Sequence, residues 1–240
     1  MSEAEPDMPG AAGDSPEAAR NSLDAARDAI VLAMLPHVPF DGWNRRAMVA
    51  AAKDAGLDET MAERAFPGGP AAAAVHFAGL ADRKLEEEAR AADLAAMRFT
   101  QRVAWLVRRR LEAWGEQREA VRHAVGALAL PGRGVQAART AWHTADTIWR
   151  LAGDSSTDFN YYTKRATLVG VYTATLLCWL DDNTEGFAAT WAFLDRRLAD
   201  VGRFGKFRSK TEERFKKLPN PVRMARSFRD QFRPGRGMRG

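Results

Sequence analysis

The segment from residue 146 to 165, DTIWRLAGDSSTDFNYYTKR, concentrates side chains that can make specific polar contacts. Its polar turn, GDSSTD, offers more helix-capping residues than one helix start requires. After the turn, Asp158, Tyr161 or Tyr162, and Arg165 recur at helical spacing and should share one face of a helix. An aromatic ring between a carboxylate and a guanidinium is typical of an interaction hot spot. The alternative interpretation is a helix cap followed by an intrahelical pair.

Residues for catalysis do not form a recognisable motif. The chain has four histidines and one cysteine, with no HExxH, no CxxC, no paired Glu-x-x-His and no glycine-rich phosphate loop. The single Cys178 excludes an internal disulfide and a thiolate metal cluster. Glu119 and His123 lie four residues apart, a spacing that more often indicates a surface pair. We therefore expect no catalytic residues, no metal and no cofactor, and favour a binding protein.

Helices should position these residues. The chain has 240 residues, 46% of them hydrophobic, which is enough for one sizeable core, and no β-branched run resembles a strand. The fold class is therefore predicted to be all-α. The apolar periodicity and the Gly and Pro breaks predict helices over about 22–35, 44–55, 58–66, 71–90, 94–114, 116–130, 135–152, from the polar turn to about 180, and along Phe187 to Val201.

The first three helices have the form of a helix-turn-helix with a glycine turn at Gly56. The phrase HVPFDGW…AMVAAAKDAGLDETMAERAF…AAAVHF resembles the N-terminal domain of TetR-type repressors. Between residues 41 and 66, however, five acidic residues oppose four basic ones, and the second helix of the motif opens with Asp58-Glu59. Carboxylates at that place oppose the approach of phosphates, so we expect a three-helix packing unit that does not bind nucleic acid.

The helical body is rich in tryptophan and alanine. Trp105, Trp142, Trp149, Trp179 and Trp191 fall on predicted core faces, which ordinary core packing explains for most of them. A body that combines such large and small side chains can also enclose an apolar tunnel, and an apolar pocket suggests a lipid ligand. The three consecutive arginines at 108–110 point around their helix, so we expect a solvated helix end there.

The chain ends in a strongly basic segment. From Arg203 onward there are thirteen Lys or Arg residues against three acidic ones, a net charge of +10, so the total of +5 leaves −5 for the preceding part. Bulky apolar residues coincide with the basic ones, which favours an amphipathic membrane-binding helix. A helix docked on the body or on a partner is the alternative, and nucleic-acid binding comes third. The predicted membrane-binding residues are Phe204, Phe207, Phe215, Leu218, Lys216 and Lys217.

One longer pattern carries a family resemblance. W-x6-W-x3-GD-x-STDFN-x-YTKR, followed by VYTATLLCWLDD and TWAFLDRRL, resembles the TetR-like lipid-binding accessory proteins of ubiquinone biosynthesis. The resemblance extends from about Leu23 to Val201. It implies a non-enzymatic TetR-like protein, expected as a homodimer, that binds an isoprenoid or quinone-intermediate lipid. It further implies presentation of that lipid, at an anionic membrane surface, to the di-iron demethoxyubiquinone hydroxylase.

The resemblance also implies particular site residues. The hydroxylase-docking patch of the family corresponds here to Asp146, Ile148, Asp158, Tyr161 and Arg165. Tyrosine at 161 departs from the family, in which tryptophan is common, yet it keeps an aromatic anchor with a polar tip. The predicted lipid-binding residues in the helical body are Trp105, Leu106, Trp149, Tyr172 and Leu176.

The domain organisation follows from these segments. We expect a disordered leader over residues 1–21, an HTH-like unit over 22–70, and a lipid-binding domain over 71–202. A basic amphipathic tail then covers 203–232, and residues 233–240 should be disordered. The leader is acidic and has no apolar core, unlike a transit peptide. The predicted location is therefore the bacterial cytoplasm, peripheral on the cytoplasmic face of the inner membrane.

Overall fold

The structure is a computed structural model that describes residues 16–154 and 159–216. Over these residues the chain forms α-helices and two short 3-10 helices, with no strand, which confirms the all-α prediction. The α-helices in chain order are α1 (Pro16–Met34), α2 (Val38–Asp41), α3 (Arg45–Asp54), α4 (Glu59–Ala65), α5 (Pro70–Ala91), α6 (Phe99–Glu112), α7 (Arg118–Ala129), α8 (Gly134–Leu151), α9 (Phe159–Asp181) and α10 (Ala188–Lys216).

Local capping sets the boundaries of α3 and α4. The side chain of Asn44 accepts a hydrogen bond from the Ala47 amide, and that of Asp58 accepts one from the Met61 amide at 2.6 Å. Each cap satisfies an amide that the first helical turn leaves unpaired. Between the two helices Gly56 has a φ of 72°, a left-handed value that glycine adopts without steric cost. The predicted helix starts at Asn44 and Asp58 are confirmed.

The predicted helix over 94–114 is divided in two. Leu94–Ala96 is a 3-10 helix, and Met97 and Arg98 are extended before α6 begins at Phe99. The amide of Arg98 donates to the side chain of Gln101 at 3.0 Å, so a polar contact one turn later caps the new helix start. The apolar periodicity continues across this break and therefore did not reveal it.

One hydrophobic core joins the N-terminal helices to the larger helical body. Ile30 and Met34 of α1 and Met48 of α3 are buried in the same cluster as Phe77 of α5 and Trp114. The rings of Phe77 and Trp114 meet edge to face, with centroids 4.8 Å apart. Helices α3 and α4 also pack on α1, so the three-helix unit is anchored through α1 and α5.

Helices α8 and α9 form a hairpin around the polar turn. Helix α8 ends as predicted just before Gly153, whose φ is 90°, and the amide of Asp154 donates back to the carbonyl of Trp149 at 3.0 Å. This reverse bond and the left-handed glycine are the usual end of a helix. The Arg102 side chain also donates to the Ala152 carbonyl, so α6 helps to hold the end of α8.

The chain divides into two compact units, Met1–Leu194 and Asp195–Gly240. Helix α10 continues through the predicted boundary at residue 203 and includes Phe204, Phe207, Phe215 and Lys216 as helical positions. Lys217 and Leu218 lie outside the described residues, as do residues 1–15 and the predicted disordered end. None of the described helices combines the length and the hydrophobicity needed to cross a bilayer. The membrane-binding role of the tail stays a prediction.

Candidate functional site

An apolar cavity of about 220 Å³ lies among α5, α6, α7, α8 and α9. Alanine, valine, leucine and aromatic side chains form most of its wall. Alanines such as Ala124 on α7 and Ala141 on α8 leave space that larger residues at the same places would fill. Tyr172 and Leu176, two of the predicted lipid-binding residues, line this cavity.

The other predicted lipid-binding residues lie elsewhere. Leu106 is completely buried in the core, and Trp105 lines a separate shallow pocket beside Glu88 and Arg109. Trp149 stacks on Phe99, with ring centroids 5.2 Å apart, and its indole N–H donates to the Lys164 carbonyl. These three residues fall on core faces of their helices, and a core face need not be a cavity face.

A buried polar cluster borders the cavity; we call it the Asp82 cluster, comprising Asp82, Arg110, Thr144 and Tyr172. Arg110 donates through Nε to Asp82 at 2.6 Å and through Nη1 to the Tyr172 hydroxyl at 2.5 Å. Thr144 donates to the Asp82 carboxylate at 3.1 Å, and all four side chains are less than 9% exposed. One residue from each of α5, α6, α8 and α9 is therefore tied to the same guanidinium–carboxylate pair.

The ion pair keeps Asp82 and Arg110 charged despite their burial. Burial by itself raises the pKa of Asp82, but the Arg110 charge and the His143 hydrogen bond outweigh it and lower this pKa. The pKa of the Tyr172 phenol is raised, first by burial, so its hydroxyl keeps its proton. The pKa of His143 is raised by its hydrogen bond to Asp82 at 3.1 Å.

Asp82 was not predicted from the sequence, and the predicted environment of Arg110 was wrong. The three arginines were expected at a solvated helix end, yet Arg110 is only 7% exposed. A signal was available for both residues. Asp82 lies three residues before the buried Leu85, and Arg110 lies three and four residues after the buried Val107 and Leu106. A charged residue at such a position is in line with the apolar stripe of its helix, which indicates a buried partner.

A second polar cluster joins α8 to α9; we call it the Asp146 cluster, comprising Asp146, Asp154, Tyr161 and Arg165. Arg165 donates to Asp146 at 2.5 Å and to Asp154 at 3.4 Å, and its guanidinium lies 3.4 Å from the centre of the Tyr161 ring. The Tyr161 hydroxyl donates to Asp146 at 3.1 Å. Three of the five predicted docking residues, Asp146, Tyr161 and Arg165, are therefore in contact with each other.

These contacts are internal to the chain, which limits what the predicted docking patch exposes. Ile148 is completely buried and Arg165 is 3% exposed, so neither offers surface to a partner in this structure. Asp158 lies outside the described residues. The neighbouring Tyr162 is the exposed aromatic residue of this patch. It is 63% exposed, and the centre of its ring lies 6.2 Å from the centre of the Trp142 ring. Arg165 forms its ion pair with Asp146 on α8, so this contact joins two helices and is not the intrahelical pair of the alternative interpretation. The docking role of this patch stays a prediction.

Charges in the N-terminal unit are paired between its helices. Arg45 on α3 donates to Glu59 at 2.8 Å and to Glu63 at 2.5 Å, both on α4. The carboxylates on the second helix of the motif thus engage one of the four basic residues between positions 41 and 66. This pairing further reduces the positive charge that the unit could present to a phosphate backbone.

The fold and the cavity define an all-α protein of TetR-like architecture. The crystal structure of the TetR transcriptional regulator from Nitrosomonas europaea ATCC 19718 superposes with a TM-score of 0.60 and covers 74% of this chain and 98% of that one, at 19% sequence identity. This similarity shows the fold alone.

The family follows from sequence comparison. Residues 135–205, which contain α8 and α9, match the COQ9 family model. The mitochondrial ubiquinone biosynthesis protein COQ9 of Rattus norvegicus is 32% identical over 183 residues, and that of Homo sapiens is 31% identical over the same length. These matches confirm that the chain resembles the COQ9 family.

The comparisons also set the extent of the similarity. The matches include 73% of this chain and span 58% of the rat protein and 57% of the human protein. These relatives, and the Drosophila melanogaster relative, are named as mitochondrial proteins. They contradict the expectation of a bacterial cytoplasmic location at the inner membrane. That expectation rested on the acidic N-terminal segment, which does not resemble a transit peptide. The composition of this segment was not sufficient to predict the location.

Proposed function

We propose that this chain is a non-enzymatic accessory protein of ubiquinone biosynthesis that binds a prenylated quinone intermediate. The observation that carries the proposal is the apolar cavity, two walls of which, α8 and α9, lie in the segment that matches the COQ9 family. Its wall is apolar but includes hydrogen-bonding groups from Arg110, Thr144 and Tyr172. Such a combination suits a small polar ring attached to a hydrocarbon chain.

The same proposal includes a transfer step. The protein, as a homodimer, would bind an anionic membrane surface through the basic part of α10 and present the lipid to the di-iron demethoxyubiquinone hydroxylase. The relatives are named for ubiquinone biosynthesis, and the Asp146 cluster lies on the same two helices that border the cavity. A rigid α8–α9 hairpin would support a docking surface beside the ligand, with the exposed Tyr162 as its aromatic contact.

Mass spectrometry of lipids extracted from the purified protein tests the binding step. We expect a prenylated quinone or its precursor in the wild type and a large loss in Ala141→Phe, because a phenyl ring at this wall position fills the cavity. Ala138→Phe on the exposed face of the same helix is the matched control and should retain the lipid. Wild-type protein without any lipid, from cells that make ubiquinone, would contradict the proposal.

The quinone content of cells that lack the gene tests the biological step. Accumulation of a demethoxyubiquinone, reversed by the wild type and not by Ala141→Phe, would support it. Unchanged quinones would count against it and favour a different class of function. The alternative of a TetR-type transcriptional regulator predicts salt-sensitive retention of DNA from upstream of the gene. The paired carboxylates of α4 oppose that alternative.

A further inference from the structure

The cavity has a polar end within a mainly apolar wall. Arg110, Thr144 and Tyr172 contribute to the lining at this end, whereas their partner Asp82 does not. Because Asp82 lies 2.6 Å from the guanidinium, the charge of Arg110 is already balanced inside the protein. A ligand that reaches this end therefore contacts N–H and O–H donors but no unpaired positive charge.

Counting the hydrogen bonds shows an excess of donors at this end. Arg110 donates to Asp82, Tyr172, Thr144 and the Ala78 carbonyl, which leaves one of its five N–H groups over. The Tyr172 hydroxyl accepts from Arg110, and its own hydrogen has no acceptor among the described residues. The Asp82 oxygens are engaged by Arg110, Thr144 and His143. Donors thus remain available where acceptors are already occupied.

Two other wall residues add to the same imbalance. The indole N–H groups of Trp114 and Trp179 are buried and have no hydrogen-bond partner within the part of the chain that is described. Indole nitrogen can donate but cannot accept. A buried donor without an acceptor is costly, and the cost is removed when a ligand oxygen comes within reach. Both buried side-chain groups that lack a partner in the described part of the chain are therefore hydrogen-bond donors.

We infer that the cavity selects an uncharged head group that carries acceptor oxygens, such as a quinone or aryl ketone, and holds it against Tyr172 and Arg110. The hydrocarbon part then runs along the alanine-rich walls of α7 and α8. A carboxylate or phosphate head is disfavoured, because its charge would be buried next to an arginine that Asp82 already neutralises. This inference rests on the proposed function and specifies the chemistry of its ligand and the end at which the head lies.

Calorimetric titration of the full chain with three probes tests the inference. They are a fully substituted 1,4-benzoquinone with one prenyl group, prenylbenzene and decanoate; full ring substitution prevents addition of the Cys178 thiol. We expect the quinone to bind about tenfold more tightly than either of the others, since the two competitors lack neutral acceptor oxygens. Equal affinity for quinone and prenylbenzene, or preference for decanoate, would overturn the inference.

Tyr172→Phe sharpens the test, with Thr167→Val as its control on the same helix, because Thr167 also carries a hydroxyl but does not line the cavity. Tyr172→Phe should weaken the quinone about fivefold and leave prenylbenzene unchanged, whereas Thr167→Val should change neither. Equal weakening of both probes would mean that Tyr172 only shapes the cavity, and the inference would be wrong while lipid binding stood. No binding of any probe by the wild type would contradict the proposed function itself. Thermal unfolding checks that each variant is folded.

Discussion

The Asp82 and Asp146 clusters use the same three residue types in different surroundings. Each places an arginine between an aspartate and a tyrosine: Arg110 with Asp82 and Tyr172, and Arg165 with Asp146 and Tyr161. In the first, all three side chains are buried. In the second, the arginine is buried but the side chain of Asp146 is 30% exposed.

The two tyrosines show what this difference means. Tyr172 accepts a hydrogen bond from Arg110, so its hydroxyl extends the buried network toward the cavity. Tyr161 instead donates to Asp146, and the Arg165 guanidinium lies over the face of its ring. The first arrangement holds polar hydrogens inside an apolar wall, whereas the second fastens two helices together at the surface. The same residue types can therefore line a cavity or fasten two helices together, depending on burial.

Replacement of the aspartate should give the largest difference in stability between the two clusters. Asp82→Ala leaves the Arg110 charge buried without its partner and should lower the free energy of unfolding by about 3–5 kcal/mol. Asp146→Ala should lower it by about 1–2 kcal/mol, because solvent reaches the site and Asp154 remains near Arg165. Urea denaturation followed by circular dichroism measures both. Equal losses would show that burial does not distinguish the clusters.

Removal of both charges from the Asp82 cluster should restore part of the lost stability. The double variant Asp82→Leu/Arg110→Met has no buried charge left unpaired, so we expect it to regain at least about 2 kcal/mol relative to Asp82→Ala. The double variant should still lose quinone binding, because the polar end of the cavity is gone. A double variant as unstable as Asp82→Ala would mean that shape, not charge, governs this part of the core.

Acid should weaken the Asp146 cluster in a defined direction. Burial raises the pKa of Asp146, but hydrogen bonds from Arg165 and Tyr161 lower it more, so the folded-state pKa lies below the ordinary value of about 3.9. The stability that Asp146 contributes is therefore present above that value and is lost as the pH falls through the folded-state pKa. Asp146→Asn should cost less stability at pH 3 than at pH 7, which urea unfolding at the two pH values would show. A cost independent of pH would contradict ionisation as its source.

Replacement of His143 should have the smallest effect on stability, and its pH dependence should be opposite to that of Asp146. The pKa of His143 is raised by the hydrogen bond to Asp82, so its contribution is complete below the ordinary histidine pKa of about 6.5 and is lost as the pH rises through the folded-state value. The side chain is 69% exposed, which limits the contribution to below about 1 kcal/mol. The difference in thermal midpoint between wild type and His143→Gln should shrink from pH 6 to pH 8.5. A constant difference would show that the ion pair does not contribute.

Local sequence signals predicted most elements of this fold. Period-3.6 apolar stripes indicated the helices, and Asn44, Asp58 and Gly153 marked boundaries that the structure confirms. These signals act within one or two turns, so they can be read without knowledge of the tertiary structure. The quoted pattern around GDSSTDFN also led to the family that the comparisons confirm. The break at residues 97–98 was missed, because it depends on a cap that the apolar pattern does not register.

Local sequence patterns could not predict which residues line the candidate site. Periodicity placed Trp105, Leu106, Trp149, Tyr172 and Leu176 toward the interior, but only Tyr172 and Leu176 reach the cavity. The choice between core and cavity is made by how five helices pack, since a void arises where alanines from different helices face each other.

The sequence by itself determined an all-α chain, its helix caps, its charge asymmetry and its family pattern. Only the tertiary structure decided that Asp82 and Arg110, 28 residues apart, form a buried pair. It also decided that Arg165 points inward while Tyr162 faces solvent. The reason is physical: propensity and capping act between neighbours in the chain, whereas burial and charge pairing depend on which helices meet in space.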